Sequence, residues 1–326
     1  MKSIPERIQL AHLPTPIQKM DQLSRELGKN IYIKRDDYTG VEISGNKIRK
    51  LEFAAKEALQ QQADVLITCG GLQSNHARAT AAAARRLGLK CHLVLRGTPG
   101  DSWTGNLFLD KLLGAEITFL EPETFNSRHM EVMEEIKHEY AKKQMKSYLL
   151  PVGASNGIGT FGYYAAYEEI CQQEKNLDQG FDAIVTAVGS GGTCAGLVMG
   201  NWRHEGKHRI IGVPVADNAT YFRGVIQDIM KEATTLAGWD QVPEAKTYQL
   251  IDGYVGRGYA LNTSEEMAFI EYIAQKEGII LDPVYTGKAF RGLVEEIRKG
   301  SFDDLNDILF IHTGGLFGIF DKIGEF

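Results

Sequence analysis

Ser44–Glu52 reads SGNKIRKLE and follows an apolar run at Ile31–Ile33 and a charged turn. Glycine and asparagine supply turn conformations that most residues resist, so the Gly45-Asn46 pair places Lys47 at the start of a predicted helix. Cations are disfavoured at this positive end of the helix dipole, which should lower the pKa of Lys47. A lysine with a lowered pKa is a nucleophile suited to Schiff-base formation. The alternative is a solvated lysine in a basic helix start, and this stretch alone leaves both interpretations open.

The size and composition of the chain indicate an ordinary soluble globular protein. Its 326 residues are enough for two domains, and its hydrophobic content is 43%. A net charge of -6 argues against a general nucleic-acid binder, and no apolar run approaches the ~18 residues of a membrane span. The N-terminus lacks the apolar core of a signal peptide. Four scattered cysteines predict free thiols in a reducing cytoplasm: Cys69, Cys91, Cys171 and Cys194.

Short apolar runs alternate with helical segments from residue 30 onward. The runs predict strands at 31–33, 64–68, 91–95, 117–120, 181–188, 209–215 and 307–311. Helices are predicted over 21–27, 48–62, 76–87, 103–113, 124–146, 160–174, 194–204, 221–236, 264–277 and up to residue 299. This alternation indicates parallel sheets covered on both faces, and the glycine-rich residues 151–159 predict a crossing between two such units.

The best candidate anion site is the loop Gly189-Ser190-Gly191-Gly192-Thr193, which joins an apolar strand to a helix. Backbone N–H groups and the helix dipole can face one point there, and glycines let a phosphate approach. The loop lacks the lysine of a Walker sequence, and Cys194 replaces the third glycine of the dinucleotide fingerprint. Asp217 lies somewhat further on than a ribose-binding acid should. A nicotinamide-dependent oxidoreductase is therefore the alternative from another class of enzyme. The loop could also be a tight strand–helix turn that binds no ligand.

A second strand-end loop, Gly70–His76, contains Ser74, Asn75 and His76. Ligands of open α/β sheets bind at the carboxyl ends of strands, so these side chains could contact a ligand. Ser74 and Asn75 could equally cap the following helix. Three more polar side chains lie in proline or glycine turns, where each alone is compatible with simple packing: Tyr259, Tyr285 and Thr313. The sequence has no His/Cys cluster with the spacing of a metal site.

Three motifs resemble those of the 1-aminocyclopropane-1-carboxylate (ACC) deaminase and D-cysteine desulfhydrase family. Ser44–Glu52 resembles its Schiff-base lysine motif, Gln73–His76 its substrate-carboxylate motif and Leu281–Lys288 its tyrosine motif. The resemblance implies a fold-type-II pyridoxal 5′-phosphate enzyme, an α/β protein with two open, twisted parallel-sheet domains like tryptophan synthase β. It implies a large cofactor-binding domain of residues 1–48 plus 161–326, a small domain of residues 49–160, and a homodimer.

The resemblance carries roles only to positions that match the family's motifs. It implies that Lys47 forms the Schiff base with the cofactor and moves the Cα proton of a small amino-acid substrate. The cofactor's phosphate is expected on the loop from Gly189 to Thr193, its ring oxygen at Asn75 and its ring nitrogen at Thr313. The substrate is expected to contact Ser74, Asn75, His76, Tyr259 and Tyr285.

One position divides the family. ACC deaminases have a glutamate directly after the tyrosine of Asp-Pro-Val-Tyr, where it keeps the ring nitrogen protonated, and here that residue is Thr286. A hydroxyl cannot act as this counter-ion, and a neutral ring is a weaker electron sink. It suits β-elimination of a good leaving group better than opening of a cyclopropane ring. The predicted reaction is therefore conversion of D-cysteine to pyruvate, hydrogen sulfide and ammonia.

Several alternatives stay open at this stage. Within enzymes they are an L-cysteate sulfo-lyase, an L-cysteine desulfhydrase and, with less support, an ACC deaminase. A non-catalytic binder of pyridoxal phosphate or amino acids is the non-enzyme alternative. The sequence does not decide the stereochemistry of the substrate. Residues 102–106 and 217–223 are predicted to shape its pocket.

Overall fold

The computed structural model describes residues 4–100 and 103–326. The strands in this part of the chain are β1 Ile17–Lys19, β2 Asn30–Lys34, β3 Val65–Gly71, β4 Lys90–Arg96, β5 Glu116–Leu120, β6 Ser147–Leu149, β7 Ala183–Val188, β8 Arg209–Pro214, β9 Tyr248–Leu250 and β10 Asp307–Ile311. The helices are α1 Asp21–Leu27, α2 Lys47–Gln60, α3 Asn75–Arg86, α4 Gly105–Leu112, α5 Pro122–Lys142, α6 Gly157–Leu177, α7 Gly192–Arg203, α8 Ala219–Ala237, α9 Ser264–Glu277 and α10 Thr286–Arg298.

The strands form two sheets. One has six strands in the order β1-β2-β10-β7-β8-β9, and the other has four strands in the order β5-β4-β3-β6. All neighbouring strands are parallel except the edge pair β1 and β2. The predicted α/β fold with two open parallel sheets is confirmed, with the correction that the larger sheet carries one antiparallel edge strand. Such an edge is common on otherwise parallel sheets.

The strand order of each sheet reverses once. In the larger sheet β7 continues through α7 to β8 on one side, while β10 lies on its other side. In the smaller sheet β3 continues to β4 on one side, while β6 lies on the other. Ligands of open α/β sheets bind outside the carboxyl ends of the strands at such reversals. The loops that follow β3, β6 and β7 line one common cavity, so the two reversal points meet there.

Three short strands were not predicted, and the largest error in a helix boundary is at the end of α5. Residues 124–146 were expected to be helical, but α5 ends at Lys142 and β6 follows at Ser147. Gln144 adopts a left-handed backbone with a φ of 59°, which stops the helix without the usual glycine. The strands β1, β6 and β9 have three residues each, too few to show a period-two pattern.

The two sheets share apolar packing. One cluster of buried side chains includes Leu66 and Leu93 from the smaller sheet, Ile184 and Leu309 from the larger sheet, and Phe161 of α6 between them. The strands from 65 to 149 all belong to the smaller sheet, which is in keeping with the predicted domains. The boundaries at 48/49 and 160/161 stay a prediction.

Within the described residues, no helix combines the length and the apolar character that crossing a bilayer requires.

A buried ion network fixes the beginning of α2. The Arg49 guanidinium donates to Asp36 Oδ1 at 2.8 Å and Oδ2 at 2.9 Å, and to Glu169 Oε1 of α6 at 2.9 Å. Burial alone would raise the pKa of Asp36, but the nearby Arg49 and Lys34 hold it below its ordinary value. The pair is therefore ionised, and the bidentate geometry orients the first turn of α2. That turn carries Lys47.

Candidate active site

The carboxyl ends of the strands enclose a narrow cleft that opens into a larger cavity of about 440 Å³. The narrow cleft is lined by Asn46, Lys47, Asn75, Ala187, Gly189, Ser190, Gly191, Thr193, Cys194, Tyr285 and Thr313. The larger cavity shares Lys47, Gly189, Ser190 and Tyr285 with the cleft and adds, among others, Ser74, His76 and Tyr259. Of the twelve predicted site residues, all except Gly192 therefore line one of these two connected spaces.

Lys47 is the first residue of α2, as the turn before it predicted. Its Nζ makes no hydrogen bond or ion pair with the residues that the structure describes. Burial lowers its pKa to about 8. The predicted direction is confirmed, but the cause is desolvation rather than the helix dipole. Gly153 makes this packing possible, because a Cβ at that position would come within 2.9 Å of Lys47 Nζ.

The glycine loop forms an anion cradle at the start of α7. Gly191 is the N-cap of that helix and adopts a φ of 84°, which favours glycine. The Ser190 and Ser155 hydroxyls lie 2.7 Å apart, and Asn46 Nδ2 donates to Thr193 Oγ1 at 3.0 Å. Backbone N–H groups, two hydroxyls and the helix dipole are therefore directed at one place.

Lys50 supplies the charge of this cradle, and sequence reasoning missed its role. It is fully buried, and a Cβ on Gly192 would lie 2.8 Å from its Nζ. Lys50 Nζ donates to Ser155 Oγ at 2.9 Å and to the Gly153 carbonyl at 3.3 Å, and no carboxylate in the described residues pairs with it. Burial, followed by the charge of Lys47, holds the pKa of Lys50 well below its ordinary value.

The position of Lys50 calls for an anionic ligand. A buried cation without a counter-ion is costly, and a bound phosphate would remove that cost. The i, i+3 spacing from Lys47, which places both side chains on one helix face, was the available signal. Ser155 and Asn46 were missed as well, because the sequence placed them only in a crossing segment and a turn.

Ser74 and Asn75 begin α3 at the other side of the cleft. Ser74 is the N-cap, and its Oγ accepts a hydrogen bond from Ala77 N at 3.1 Å, which leaves the hydroxyl proton for a ligand. Asn75 Oδ1 accepts from Asn106 Nδ2 at 2.9 Å, so the Asn75 amide is oriented with its N–H₂ group available. Ser74 thus serves both as the cap and as a candidate ligand, so the two interpretations of this motif are compatible.

His76 lines the larger cavity but is buried and neutral. Its Nε2 lies 2.9 Å from Thr68 Oγ1. Burial, followed by the charges of Lys47 and Lys50, lowers the pKa of His76 well below its ordinary value. The imidazole therefore offers no positive charge to a carboxylate. Its predicted contact with the substrate stays a prediction.

Tyr259 and Tyr285 meet between the cleft and the larger cavity. Their Oη atoms lie 2.5 Å apart, and their rings are edge to face with centroids 5.9 Å apart. Burial raises the pKa of both phenols. A Cβ on Gly189 would come within 2.7 Å of the Tyr285 ring, so this glycine lets the ring approach the loop. Both phenols are therefore neutral and face the cavity as a coupled pair.

Thr313 and Thr286, the two threonines considered as partners of the cofactor ring, differ in position. Thr313 lines the narrow cleft. Thr286 is buried outside both spaces, where its Oγ1 donates to Asp282 Oδ1 at 2.7 Å and accepts from Asp282 N at 2.7 Å. None of the described residues in 102–106 and 217–223 lines either space, contrary to prediction, although Asn106 acts through Asn75. Ser102 lies outside the described residues.

The residues present fit pyridoxal phosphate. A helix N-terminus with a buried, unpaired Lys50 suits a phosphate, and a lysine with a lowered pKa suits a covalent bond to an aldehyde. Asn75 and Thr313 offer polar groups along the cleft between these two ends.

Known proteins support the same identity. The family model described as pyridoxal-phosphate dependent enzyme matches residues 8–314. A putative ACC deaminase of Thermotoga maritima is 46% identical over 316 residues, which cover 96% of this chain and 97% of that protein. A mitochondrial bifunctional D-cysteine desulfhydrase/ACC deaminase of Arabidopsis thaliana is 43% identical over 327 residues, which cover 97% of this chain and 80% of that protein.

A solved structure extends the likeness to the fold. The crystal structure of an ACC deaminase homologue superposes with a TM-score of 0.90 at 43% identity, covering 98% of this chain and 94% of that one. The nicotinamide alternative loses its basis, because the glycine loop and Lys47 now have a common ligand. The chain belongs to the pyridoxal-phosphate dependent enzymes, in the group that includes the ACC deaminases and D-cysteine desulfhydrases, and pyridoxal phosphate is its cofactor.

Proposed function

We propose that this enzyme eliminates sulfide from D-cysteine, so that cysteine and water give pyruvate, hydrogen sulfide and ammonia. The observation that carries the proposal is the absence of Asp and Glu from the described residues lining the narrow cleft. A cofactor ring there has only hydroxyl and amide partners, with Thr313 as the candidate at the ring nitrogen. A ring without an acidic partner favours departure of a good leaving group over opening of a cyclopropane.

The side chains divide the work. When bound, pyridoxal phosphate is held covalently by Lys47 and draws electrons away from the substrate's Cα. When it is not bonded to the cofactor, the Lys47 amine is positioned to accept the Cα proton, since its lowered pKa gives it a larger neutral fraction at neutral pH than an ordinary lysine has. The Ser74 hydroxyl and the N-terminus of α3 hold the substrate carboxylate. Tyr259 and Tyr285 face the leaving group.

The test is an absorbance spectrum of the purified enzyme before and after addition of D-cysteine, with assays for pyruvate and sulfide. We expect the visible cofactor band to shift and both products to form in equal amounts. A band that ignores D-cysteine would refute the proposed substrate and direct the same assay to L-cysteine, L-cysteate and ACC. Release of ammonia and 2-oxobutyrate from ACC would favour the deaminase activity named for the relatives. No turnover of any of them would favour a binder.

Replacing Ser74 by alanine should raise the KM for the amino acid about 10- to 100-fold and change kcat less than about threefold. The variant loses one hydrogen bond to a carboxylate, which is worth about 1.5–3 kcal/mol. Steady-state kinetics on the cofactor-loaded enzyme measure the effect. The control is Asn218→Ala, which removes the N-cap of α8 away from both spaces. An equal rise in KM in the control would show that loss of a cap, rather than of a ligand, is responsible.

The lowered pKa of Lys47 predicts its reactivity without the cofactor. Trace acetylation of the cofactor-free protein, quantified by mass spectrometry, should modify Lys47 with half-maximal rate near pH 8, because only the neutral amine reacts and its pKa is about 8. Lys56, on the same helix and paired with Glu6, provides an internal comparison for the reagent. A reaction profile of Lys47 without a midpoint near pH 8 would contradict the burial argument.

We also propose that the enzyme is a homodimer, as the family resemblance implies. Light scattering of the purified protein should give twice the 36.2 kDa of one chain, and a mass of one chain would refute this proposal.

All four cysteines are free thiols. Their state suits a reducing compartment, and the cytoplasmic location stays a prediction.

A further inference from the structure

Lys288 lies in the first turn of α10, three residues after Tyr285, and is only 1% exposed. Its Nζ donates three hydrogen bonds, all to backbone carbonyls: Val255 at 2.7 Å, Gly258 at 2.8 Å and Leu261 at 2.8 Å. An ammonium group has three N–H donors, so Lys288 uses its whole donor capacity on one loop.

This loop, residues 255–261, carries Tyr259 and has an unusual backbone. Gly256, Gly258 and Ala260 all have positive φ, of 64°, 128° and 58°. A left-handed alanine is disfavoured, so the local sequence alone does not select this conformation. Of the three carbonyls that Lys288 binds, two precede Tyr259 and one follows it. The ammonium group therefore holds the loop on both sides of the tyrosine.

The buried position of the Lys288 ammonium group at the start of α10 is energetically unfavourable. A cation is disfavoured at a helix N-terminus, and no carboxylate in the described residues bonds to this one. Burial lowers the pKa of Lys288, while the charge of Glu266 raises it and that of Lys322 lowers it. An apolar side chain would fill the same space without this cost. The three directed bonds are what the ammonium group adds.

We propose that Lys288 is a positioning residue that sets the Tyr259–Tyr285 pair for the reaction. The helix of Lys288 begins directly after Tyr285, and its ammonium group clamps the loop of Tyr259, so one side chain fixes both members of the pair. Asn262 Nδ2, which donates to the Pro283 carbonyl at 2.7 Å, is a second tether between the same two segments. The inference rests on the proposed function, in which both tyrosines face the substrate.

A double-mutant cycle tests the proposal on the cofactor-loaded enzyme. Lys288→Met keeps the length of the side chain and removes its donors, and Tyr259→Phe removes the hydroxyl that the clamp positions. We expect each single variant to lower kcat about tenfold or more, and Lys288→Met to change kcat less than twofold in the Tyr259→Phe background. Lys299→Met, at the exposed end of α10 and paired with Glu296, is the control and should keep full activity. If Lys288→Met does not fold, Lys288→Gln serves in its place.

A second readout needs no substrate and so separates this inference from the proposed function. Hydrogen exchange in Lys288→Met should quicken in residues 255–261 and stay unchanged in α2 and α7, which carry Lys47 and the phosphate cradle. The proposal is overturned if Lys288→Met lowers kcat equally with and without the Tyr259 hydroxyl, if it leaves kcat unchanged, or if exchange quickens across the protein alike. Failure of the wild type to turn over D-cysteine would concern only the substrate.

Discussion

Replacing Lys47 by alanine is expected to lower kcat about a thousandfold or more and to remove the absorbance band of the covalently held cofactor. The variant loses both the amine that holds the cofactor and the base that accepts the Cα proton. Lys50, which lies one turn further along the same helix, is not expected to take over, because its Nζ is bonded to Ser155 and lies against Gly192. Pyruvate release measures the rate, and the spectrum of the purified variant measures the covalent link.

The control for this experiment lies on the same helix. Lys56→Ala removes a partly exposed lysine that pairs with Glu6, and we expect it to keep wild-type activity and the wild-type spectrum. Lys47→Ala leaves the residues proposed to hold the phosphate unchanged, so we expect the cofactor to bind still, without the covalent link. Retention of substantial turnover in Lys47→Ala would remove the proposed mechanism.

Local features of the site could be read from the sequence, because they depend on neighbours in the chain. The Gly45-Asn46 turn placed Lys47 at the start of α2. The predicted helix 264–277 matches α9, which begins with a capping box between Thr263 and Glu266. The two sheets follow from short apolar runs that alternate with helical segments. The family resemblance then supplied roles that no local pattern could assign.

Features that depend on distant segments could not be read in this way. Lys50 meets Ser155 and Gly192 only after three separate loops have come together at the reversal points of the two sheets. The pKa of Lys47 was predicted to fall because of the helix dipole, yet burial is responsible. No sequence pattern reports such burial, since it arises from the packing of segments that are distant in the chain.

Thr286 shows what a sequence motif can indicate about a site and what only the structure can add. In the sequence, Thr286 stands where the resemblance to ACC deaminases implies a glutamate, and Thr286→Glu would be the obvious test of that difference. The structure makes this exchange a poor one, because Thr286 is buried and exchanges hydrogen bonds with Asp282. A glutamate would bring a second carboxylate against Asp282, whose pKa burial already raises. Loss of stability would then obscure any change in substrate.

Replacing Lys50 by methionine should have opposite effects on the two forms of the protein. The cofactor-free protein should become more stable by about 1–2 kcal/mol, because a buried amine without a counter-ion, whose desolvation cost appears as its lowered pKa, is exchanged for an apolar side chain. The affinity for pyridoxal phosphate should fall about 10- to 100-fold, because a charge-assisted bond to the phosphate is worth about 1.5–3 kcal/mol. Thermal unfolding without the cofactor and equilibrium titration with it measure the two quantities.

These opposite signs separate a ligand role for Lys50 from a structural one. If Lys50 only supported the fold, its removal would destabilise the cofactor-free protein, because its hydrogen bonds to Ser155 and Gly153 would be lost. Lys56→Met, on the same helix outside the site, should change neither quantity. Unchanged cofactor affinity in Lys50→Met would show that the helix N-terminus and the hydroxyls of the glycine loop hold the phosphate alone. A simultaneous gain in stability and loss in affinity would identify Lys50 as a cation whose buried position is stabilised only by the bound phosphate.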